Sequence, residues 1–568
     1  YGDRFFDGKL GVMAALCYQH ANRGKEAEAY YLPGKTIYGT QFRTYSTAQT
    51  RTAAHAKFDY KPAPAHKLTW YGGYMDMKEQ QVRDMADDKS GSTRLRYMHQ
   101  YIFSTTLQGT HHFGSSGLEL EWKGAYSKAL SETPDQAEFN FIGTHIANTG
   151  SATRRWEHND DRDLAGHLDL RYSHGLMTYS VGGMYRDKKR GSFFNEYTFD
   201  STTGTANPQY RGEDWNNFDE LKLKPRPYGN IGDPLNYDAT EQIGAAYAMA
   251  KAKGKRWDAT VGLRAEHTVQ GYTLIFPRDS DPDGEQRYTD ILPSAHFKYE
   301  IHPKGRLHLS YNRSVNRPSF FEIVPYTIIN EDYKEKGNPD LEHTVADNID
   351  LRYEFFPKGS EQVMVGLFYK HLHNPIEYGL INEGQDTYYK PMNLGNATNT
   401  GVEIDVMKYF KCFGVKANYT FTHSRITTSK RTMQGSEVIS VNQSRPLFGQ
   451  AAHVANVSLL YKSSRWHWEG QISYGYTGKR LSDISNWLDD DIWEKGYHRL
   501  DLSLEKGFPK AGITLFAKAS NLLDTPVVRI VGRGDHTATV DTPRDNGYVI
   551  ERKEWHGQSF MLGLRWKL

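Results

Sequence analysis

The sequence predicts an all-β protein, a large antiparallel β-barrel that spans a membrane. Three observations support this prediction. About twenty segments alternate apolar and polar side chains, the period of a strand with two different faces. The connections between them alternate between short turns and long polar stretches. Only 38% of the 568 residues are hydrophobic, and no run of about eighteen apolar residues provides a transmembrane helix.

The alternating segments follow one another along the whole chain. The first carries Leu10, Val12, Ala14, Leu16 and Tyr18 on one face. Later ones include Trp257–Ala265, Leu307–Tyr311, Ile349–Phe355, Val415–Phe421, Trp466–Tyr476, Leu500–Leu504 and Phe560–Leu568. A single soluble core cannot bury so many one-sided strands. We therefore expect the apolar faces to meet lipid and the polar faces to line a lumen.

The strand Gly305–Ser314 makes this prediction specific. Its apolar side chains should face lipid and its polar side chains the lumen. The lipid-facing set is Leu307, Leu309 and Tyr311, and the luminal set is His308, Ser310 and Asn312.

The connections also predict an outer-membrane barrel. Short, turn-forming connections rich in Gly, Pro, Ser and Lys occur at Lys61–Ala65, Ser173–Gly175, Lys253–Lys255, His302–Gly305, Pro357–Ser360, Lys411–Gly414, Lys462–Ser464 and Gly507–Lys510. Long polar connections lie between them, such as Arg190–Asn236, Val315–Leu341 and Asp524–Gly557. Antiparallel strands with short turns at one end and long loops at the other are typical of such barrels.

The strand count indicates a wide lumen. About twenty strands enclose more space than side chains can fill, which favours a plugged transporter over a small barrel. The first residues read as a strand end followed by a turn at Asp7–Gly8. We therefore expect a further strand and its hairpin mate upstream, giving about 22 strands in the intact protein.

Several motifs in the middle of the chain resemble one known family. They are Tyr288–Ile301, Leu307–Tyr326, Lys336–Phe356 and Val365–Glu377, with Val261–Thr268 and Ala519–Pro526 as further pieces. In order and spacing they resemble the β-barrel of TonB-dependent outer-membrane receptors, especially those of Bacteroidetes. The resemblance covers residues 1–568, which we interpret as one barrel domain.

The resemblance implies the rest of the machinery. In that family a 22-strand barrel is plugged by an N-terminal domain preceded by a TonB box. Ligand binding at the outer face exposes the box to TonB, which works with ExbB and ExbD and uses the proton-motive force. No plug or TonB box is recognisable in residues 1–568, so we expect the plug, the box and the first barrel hairpin upstream or in a separate polypeptide. The family also implies the outer membrane of a Gram-negative bacterium, with lipid and lipopolysaccharide around the barrel.

The expected function is active import of a scarce nutrient. The substrate class stays open between a siderophore-type or haem-type iron complex, an oligosaccharide and a peptide. The alternative is a structural or adhesive barrel that anchors a surface lipoprotein. No nucleophile-elbow motif or other catalytic constellation occurs, so we expect no enzyme. The formal net charge of +2 gives no indication of a nucleic-acid partner.

The predicted substrate-binding residues are aromatic side chains of the Arg190–Asn236 connection. Aromatic rings stack on sugars and on flat organic groups. The candidates are Phe193, Phe194, Tyr197, Tyr210, Trp215 and Phe218. The alternative is that these rings pack on one another to fold the loop.

One loop has the spacing of a calcium site, and we expect no other cofactor. In Asp279–Asp290, aspartates occupy positions 1, 3 and 5 (Asp279, Asp281 and Asp283) and glycine occupies position 6. Oxygen ligands at this spacing can wrap a calcium ion. Position 12 is Asp290, shorter than the usual glutamate, and it also belongs to a predicted strand. The alternative is a solvated acidic loop tip.

Overall fold

The computed structural model describes residues 2–31, 39–114, 117–143, 145–147, 152–201, 223–225, 235–277, 281–329, 332–383, 386–532 and 542–567. These residues form 33 strands, one helical turn, α1 (Phe320–Ile323), and a 3-10 turn at Pro509–Ala511. The strands are β1 (Gly2–Phe5), β2 (Leu10–Ala29), β3 (Gln41–Ala63), β4 (His66–Ala86), β5 (Ser90–Phe113), β6 (Leu118–Ile142), β7 (His145–Ile146), β8 (Ala152–His174), β9 (Met177–Ser201), β10 (Leu223–Pro225), β11 (Tyr237–Lys253), β12 (Trp257–Leu274), β13 (Asp283–His302), β14 (Gly305–Asn316), β15 (Thr327–Ile329), β16 (Lys334–Lys336), β17 (Thr344–Phe355), β18 (Gln362–His373), β19 (Ile376–Glu383), β20 (Asp386–Asn393), β21 (Ala397–Phe410), β22 (Phe413–Gln434), β23 (Glu437–Arg445), β24 (His453–Ser463), β25 (Trp468–Thr477), β26 (Arg480–Ser485), β27 (Ile492–Glu494), β28 (Tyr497–Phe508), β29 (Ile513–Ser520), β30 (Val527–Val531), β31 (Arg544–Asp545), β32 (Tyr548–Trp555) and β33 (Ser559–Trp566).

Twenty of these strands pair in antiparallel succession and form the wall of a barrel. They are β2 to β6, β8, β9, β11 to β14, β17, β18, β21, β22, β24, β25, β28, β29 and β33. The all-β barrel with about twenty visible strands is thus confirmed. The short β1 pairs with the first residues of β2. The total of 22 strands concerns the intact protein and stays a prediction.

The outer face of the wall carries an apolar belt. Phe297, Leu309, Leu351 and Leu367 lie opposite one another on four adjacent strands, and each is 38–51% exposed. His308, which directly precedes Leu309, points to the opposite, luminal face. There its side chain makes a hydrogen bond of 3.1 Å with Glu354. Large apolar side chains exposed in register are expected where a barrel meets lipid. No helix among the described residues is long and apolar enough to cross a membrane.

The short turns fall where the sequence predicts them, but the long connections differ from the prediction. Each of the eight predicted turns joins two wall strands, all at one end of the barrel. At the other end, β9 runs on to Ser201, beyond the predicted loop start at Arg190. Residues 315–341 include α1, β15 and β16, and residues 524–557 include β30 to β32. Outside lipid both faces of a paired strand can be polar, so the alternation that marks the belt is lost there.

The long connections pair with one another over the end of the barrel, which we call the mouth. Strand β16 pairs with β20, and β19 pairs with β26, both in parallel. Strand β27 pairs with β30, β30 with β32, and β32 with the upper end of β2. Four long connections are therefore joined to each other and to the wall.

Close backbone approach inside this assembly requires a glycine at position 337. A Cβ added to Gly337 would lie 1.8 Å from the carbonyl oxygen of Val324. The Gly337 amide donates to the carbonyl of Tyr326 at 3.1 Å. The loop core is therefore built around a contact that no larger residue permits.

Candidate ligand-binding site

A cavity of about 1150 Å³ lies between the luminal face of β2 to β5 and the assembled long connections. Its volume exceeds that of a typical small-molecule pocket by a modest amount. The residues that line it belong to wall strands, among them β2 to β5 and β28, and to β26, β27 and β32 of the long connections. It is the candidate ligand-binding site.

Two rows of side chains form the wall side of the cavity. Strand register places each row across β2, β3, β4 and β5. The lower row is Arg23, Thr47, Gln81 and Arg96, and the upper row is Lys25, Tyr45, Arg83 and Arg94. Because side chains alternate between the two faces of a strand, residues two apart share the luminal face. The lower row therefore carries two cations and the upper row three, and all of these except Arg83 line the cavity.

The wall cations are positioned by neighbours on the same face. Arg96 pairs with Glu79 at 3.1 Å, and Arg94 donates to the Gln81 side chain at 3.0 Å. Lys25 pairs with Glu554 of β32 at 3.0 Å. This last contact ties the wall to the long connection between β29 and β33.

On the loop side, Asp332 is held between two arginines. Arg43 of β3 lies 2.8 Å from one of its oxygens, and Arg552 of β32 lies 2.9 Å from the other. Burial by itself would raise the pKa of Asp332, but Arg552 and Arg43 together hold that pKa well below its ordinary value. Asp332 therefore stays ionised and fixes the β15–β16 loop against the wall.

A second buried cluster lies beside the first. Arg529 contacts Asp483 and pairs with Glu551 at 3.0 Å, and Glu551 is fully buried. Burial raises the pKa of Asp483 to about 6; Arg529 opposes this rise and the Glu551 carboxylate adds to it. One guanidinium thus serves two carboxylates, so protonation of Asp483 relieves their repulsion.

The members of the predicted aromatic set that the structure describes, Phe193, Phe194 and Tyr197, do not line this cavity. Phe193 is 46% exposed, whereas Phe194 is 5% exposed. Phe194 belongs to a buried cluster with Leu235, Tyr237, Phe320, Tyr326 and Leu341 among others. Tyr197 packs edge-on against Trp156, with ring centroids 6.0 Å apart. Tyr210, Trp215 and Phe218 lie outside the described residues. For Phe194 the geometry is that of loop packing, and a ligand role for the set stays a prediction.

The predicted calcium ligands are only partly described. Asp279 lies outside the described residues, and Asp281 is exposed just before β13. Asp283 begins β13, and Asp290 lies seven residues along that extended strand, where it accepts from His343 at 2.9 Å. Asp290 therefore cannot close a loop around the other two carboxylates. Among the described residues no group of three or more His, Cys, Asp or Glu side chains is placed to hold a metal. The site stays a prediction resting on Asp279, Asp281 and Asp283.

The luminal arginines are not among the residues predicted from sequence, although their spacing is visible there. In Thr93–Tyr97, Arg94 and Arg96 are two apart and so share a strand face. The same holds for Arg23 and Lys25. The sequence does not specify the pairing register between strands. That register places Arg23 level with Arg96, and Lys25 level with Arg94, on the wall.

Comparison with known proteins identifies the barrel. A family model described as the outer membrane protein beta-barrel family matches residues 111–566. The chain belongs to this family. As a member of the outer membrane protein beta-barrel family, it lies in the outer membrane, as expected. A search of curated protein sequences found no match.

Solved structures show that the fold is shared with receptors and transporters. The siderophore receptor PiuA from Acinetobacter baumannii aligns with a TM-score of 0.56 at 12% identity, over 96% of this chain and 81% of PiuA. The ferric citrate transporter FecA aligns with a TM-score of 0.54 at 12% identity, over 95% of this chain and 78% of FecA. The ferric yersiniabactin uptake receptor FyuA from Yersinia pestis gives 0.52 at 12% identity, over 96% and 80% of the two chains. At this identity the likeness concerns the fold.

Proposed function

We propose that this barrel is the outer-membrane part of an active importer. It binds a scarce nutrient at its extracellular end and releases it inward with energy transmitted by TonB, ExbB and ExbD through a region upstream of the wall strands. The cavity of about 1150 Å³ at the mouth carries this proposal. It lies on the luminal face, beneath connections that fold together, where a ligand would be held before passage. The likeness of the fold to PiuA, FecA and FyuA supports the same role.

The experiment is an uptake comparison in the native bacterium. We expect deletion of the gene to abolish depletion of one compound or a few related compounds from a defined mixture of iron complexes, oligosaccharides and peptides. Deletion of TonB, or a protonophore added to the wild type, should abolish uptake of the same compounds because the energy source is shared. Plasmid-borne protein should restore uptake.

Two outcomes would contradict importer function. In the first, the deletion strain takes up every compound at the wild-type rate although the protein is present in wild-type outer membranes. In the second, uptake depends on the gene but survives loss of TonB and of the proton-motive force. If the first outcome came with loss of a surface lipoprotein, the barrel would instead be an anchor for that lipoprotein.

A further inference from the structure

A buried lysine and a buried aspartate meet among the long connections. Lys430 lies in the part of β22 that pairs with β23, and Asp491 directly precedes β27. The Lys430 Nζ atom is 2.6 Å from Asp491 Oδ1, and the two side chains are 1% and 4% exposed. We propose that Lys430 and Asp491 are joined by an isopeptide bond, which forms spontaneously once the chain has folded. The bond staples the β22–β23 hairpin to the β26–β27 hairpin and is independent of import, because neither residue lines the candidate ligand-binding site.

The reaction is a condensation of an amine with a carboxyl group. A proton first passes from the Lys430 ammonium to the Asp491 carboxylate, which leaves a neutral amine and a neutral acid. The amine nitrogen attacks Cγ of Asp491, the N–C bond forms, and the bond from Cγ to Oδ2 breaks. Oδ2 leaves as water with two of the three Nζ protons, and the amide nitrogen keeps the third. The step therefore consumes no oxidant, reductant or other reactant.

Backbone contacts hold the two segments side by side. The Arg431 amide donates to the carbonyl of Asn486 at 2.8 Å, and the Leu488 amide donates to the carbonyl of Arg431 at 2.8 Å. These two hydrogen bonds form a parallel bridge between Arg431 and Trp487. The bridge lies one residue from Lys430, so the amine is held beside the carboxyl group it would attack. Fixing two reacting groups in this way replaces a bimolecular encounter and strongly accelerates such reactions.

The backbone of Ser485 offers the two hydrogen bonds that an amide needs at this position. Its N–H donates to Asp491 Oδ1 at 2.8 Å, and its carbonyl accepts from Lys430 Nζ. A secondary amide has one carbonyl acceptor and one N–H donor, so these contacts satisfy both of its polar groups. The same Ser485 N–H would stabilise the negative charge that develops on Oδ1 during attack.

An ion pair leaves polar atoms at the same site without partners. No described residue donates a hydrogen bond to the buried Oδ2 atom of Asp491. The Lys430 ammonium has three N–H donors, and among the described residues two acceptors serve them, Asp491 Oδ1 and the Ser485 carbonyl. Buried polar atoms without partners destabilise a protein. Condensation removes both deficits, because Oδ2 and two of the three Nζ protons leave as water.

Burial favours the neutral reactants and the neutral product. It lowers the pKa of the Lys430 ammonium, although the Asp491 carboxylate opposes this effect. A lower pKa raises the fraction of neutral amine, which is the form that attacks a carbonyl carbon. Removing two charges from water also has a desolvation cost that their attraction often fails to repay. The amide carries no charge and avoids this cost.

The test is peptide mass spectrometry of the full-length protein purified from native outer membranes. After denaturation and digestion with trypsin, we expect the peptide Ile426–Arg431 to be linked to the peptide Leu481–Lys495. The mass of the linked species should be the sum of the two peptides less one water. Fragmentation should place the link on Lys430 and Asp491. The two peptides should be lost from the unlinked fraction, and the cleavage after Lys430 should be blocked.

The same digest contains a matched control pair. Lys334 Nζ and Asp386 Oδ1 are also 2.6 Å apart, but their side chains are 38% and 43% exposed. We expect this pair to stay unlinked, because water stabilises both of its charges. A link at both pairs in equal yield would overturn the inference, since burial would then have no part in the reaction.

One variant and one unfolded sample separate the bond from the fold. Lys430→Arg keeps a cation beside Asp491, but a guanidinium stays protonated and does not attack a carboxyl group. The folded variant should therefore lack the link. Wild-type protein recovered unfolded should also lack it, and should lose one water after folding into detergent micelles without any added enzyme. The measurements on wild-type protein decide the question if Lys430→Arg fails to fold.

Three results would overturn the isopeptide bond. The first is recovery of both peptides unlinked, with normal cleavage after Lys430, from folded protein of native membranes. The second is a link that persists in the Lys430→Arg variant, because another residue would then be its source. The third is a link already present in protein that has never folded, because its formation would then not depend on the folded geometry. Importer function is judged separately, by uptake in cells.

Discussion

The buried ion pair between Glu377 and Arg445 offers a strong test of how the long connections hold together. Arg445 donates from both terminal nitrogens to the two Glu377 oxygens, at 3.1 and 2.9 Å. The Phe448 amide donates to the same carboxylate at 2.8 Å. The two side chains are only 2% and 3% exposed. The Glu377 carboxylate thus joins the β19–β20 hairpin to the end of β23 through Arg445 and to the segment between β23 and β24 through Phe448.

Replacing Glu377 with glutamine removes the charge but keeps one acceptor. Removing one partner of a buried ion pair, so that the other stays charged and unpaired, costs about 3–5 kcal/mol of stability. Because the glutamine carbonyl can still accept a hydrogen bond from Arg445, we expect a cost near the lower end of this range. A local loss of about 3 kcal/mol corresponds to roughly 100-fold faster opening of the hairpin. We therefore expect the amides of β19 and β20 to exchange about 100-fold faster, with the wall strands unaffected.

Native-state hydrogen exchange with mass spectrometry measures this directly. The control is Asp347→Asn, which breaks a pair of similar geometry with Arg313, at 2.9 and 3.0 Å. That pair is 38% and 21% exposed, so its loss should cost less than about 1 kcal/mol. Adding Arg445→Met to Glu377→Gln should restore most of the protection, because no unpaired buried charge remains. Equal effects of Glu377→Gln and Asp347→Asn, or no recovery in the double variant, would refute the reasoning.

Three further outcomes follow from the assigned faces and groups. Leu309→Arg should destabilise the barrel in lipid vesicles by about 2–4 kcal/mol, whereas Ser310→Arg on the luminal face should cost little; equal losses on guanidinium unfolding would contradict the face assignment. The pKa of Asp483 is raised to about 6 from an ordinary 3.8, so the folded form keeps a proton that the unfolded form has lost. Local stability should therefore fall as pH rises from about 4 to about 6, by up to about 3 kcal/mol. Asp483→Asn should remove this dependence from the exchange of β26 and β30, and a persisting slope would contradict the assignment. Calcium titration by calorimetry should give saturable heat that disappears in Asp281→Asn with Asp283→Asn, and absence of heat would end the calcium prediction.

The wall could be predicted because lipid and lumen impose opposite demands on alternate residues. The predicted segments that begin at Leu10 and Trp257 coincide with the starts of β2 and β12, and each predicted turn joins two strands. At Trp466 the predicted start of the strand is wrong by two residues. This residue continues the alternation in sequence, but it lies in the turn before β25, which begins at Trp468. Trp is enriched at membrane–water interfaces, so a turn residue there can continue the aromatic pattern of the neighbouring strand.

The cavity could not be predicted because it depends on pairings between distant segments. No local sequence pattern predicts that β32 pairs with β2 or that Asp332 lies between Arg43 and Arg552. Those contacts join residues more than 200 positions apart. The aromatic residues of Arg190–Asn236 were predicted to bind ligand because rings stack on sugars and on flat organic groups. For Phe194 the reason is packing against Tyr237 and Phe320 in a buried cluster.

The cavity lies beside the ion pairs that hold the long connections to the wall. Lys25 of β2 pairs with Glu554 of β32, and Arg43 of β3 pairs with Asp332 of the β15–β16 loop. Arg552 joins these two pairs, because it contacts both Asp332 and Glu554. Loss of the Lys25–Glu554 contact would therefore weaken one attachment of β32 to the wall and leave the Arg43–Asp332 contact in place. Because Lys25, Asp332, Arg552 and Glu554 all line the cavity, a change at the ligand site can reach the long connections through these contacts.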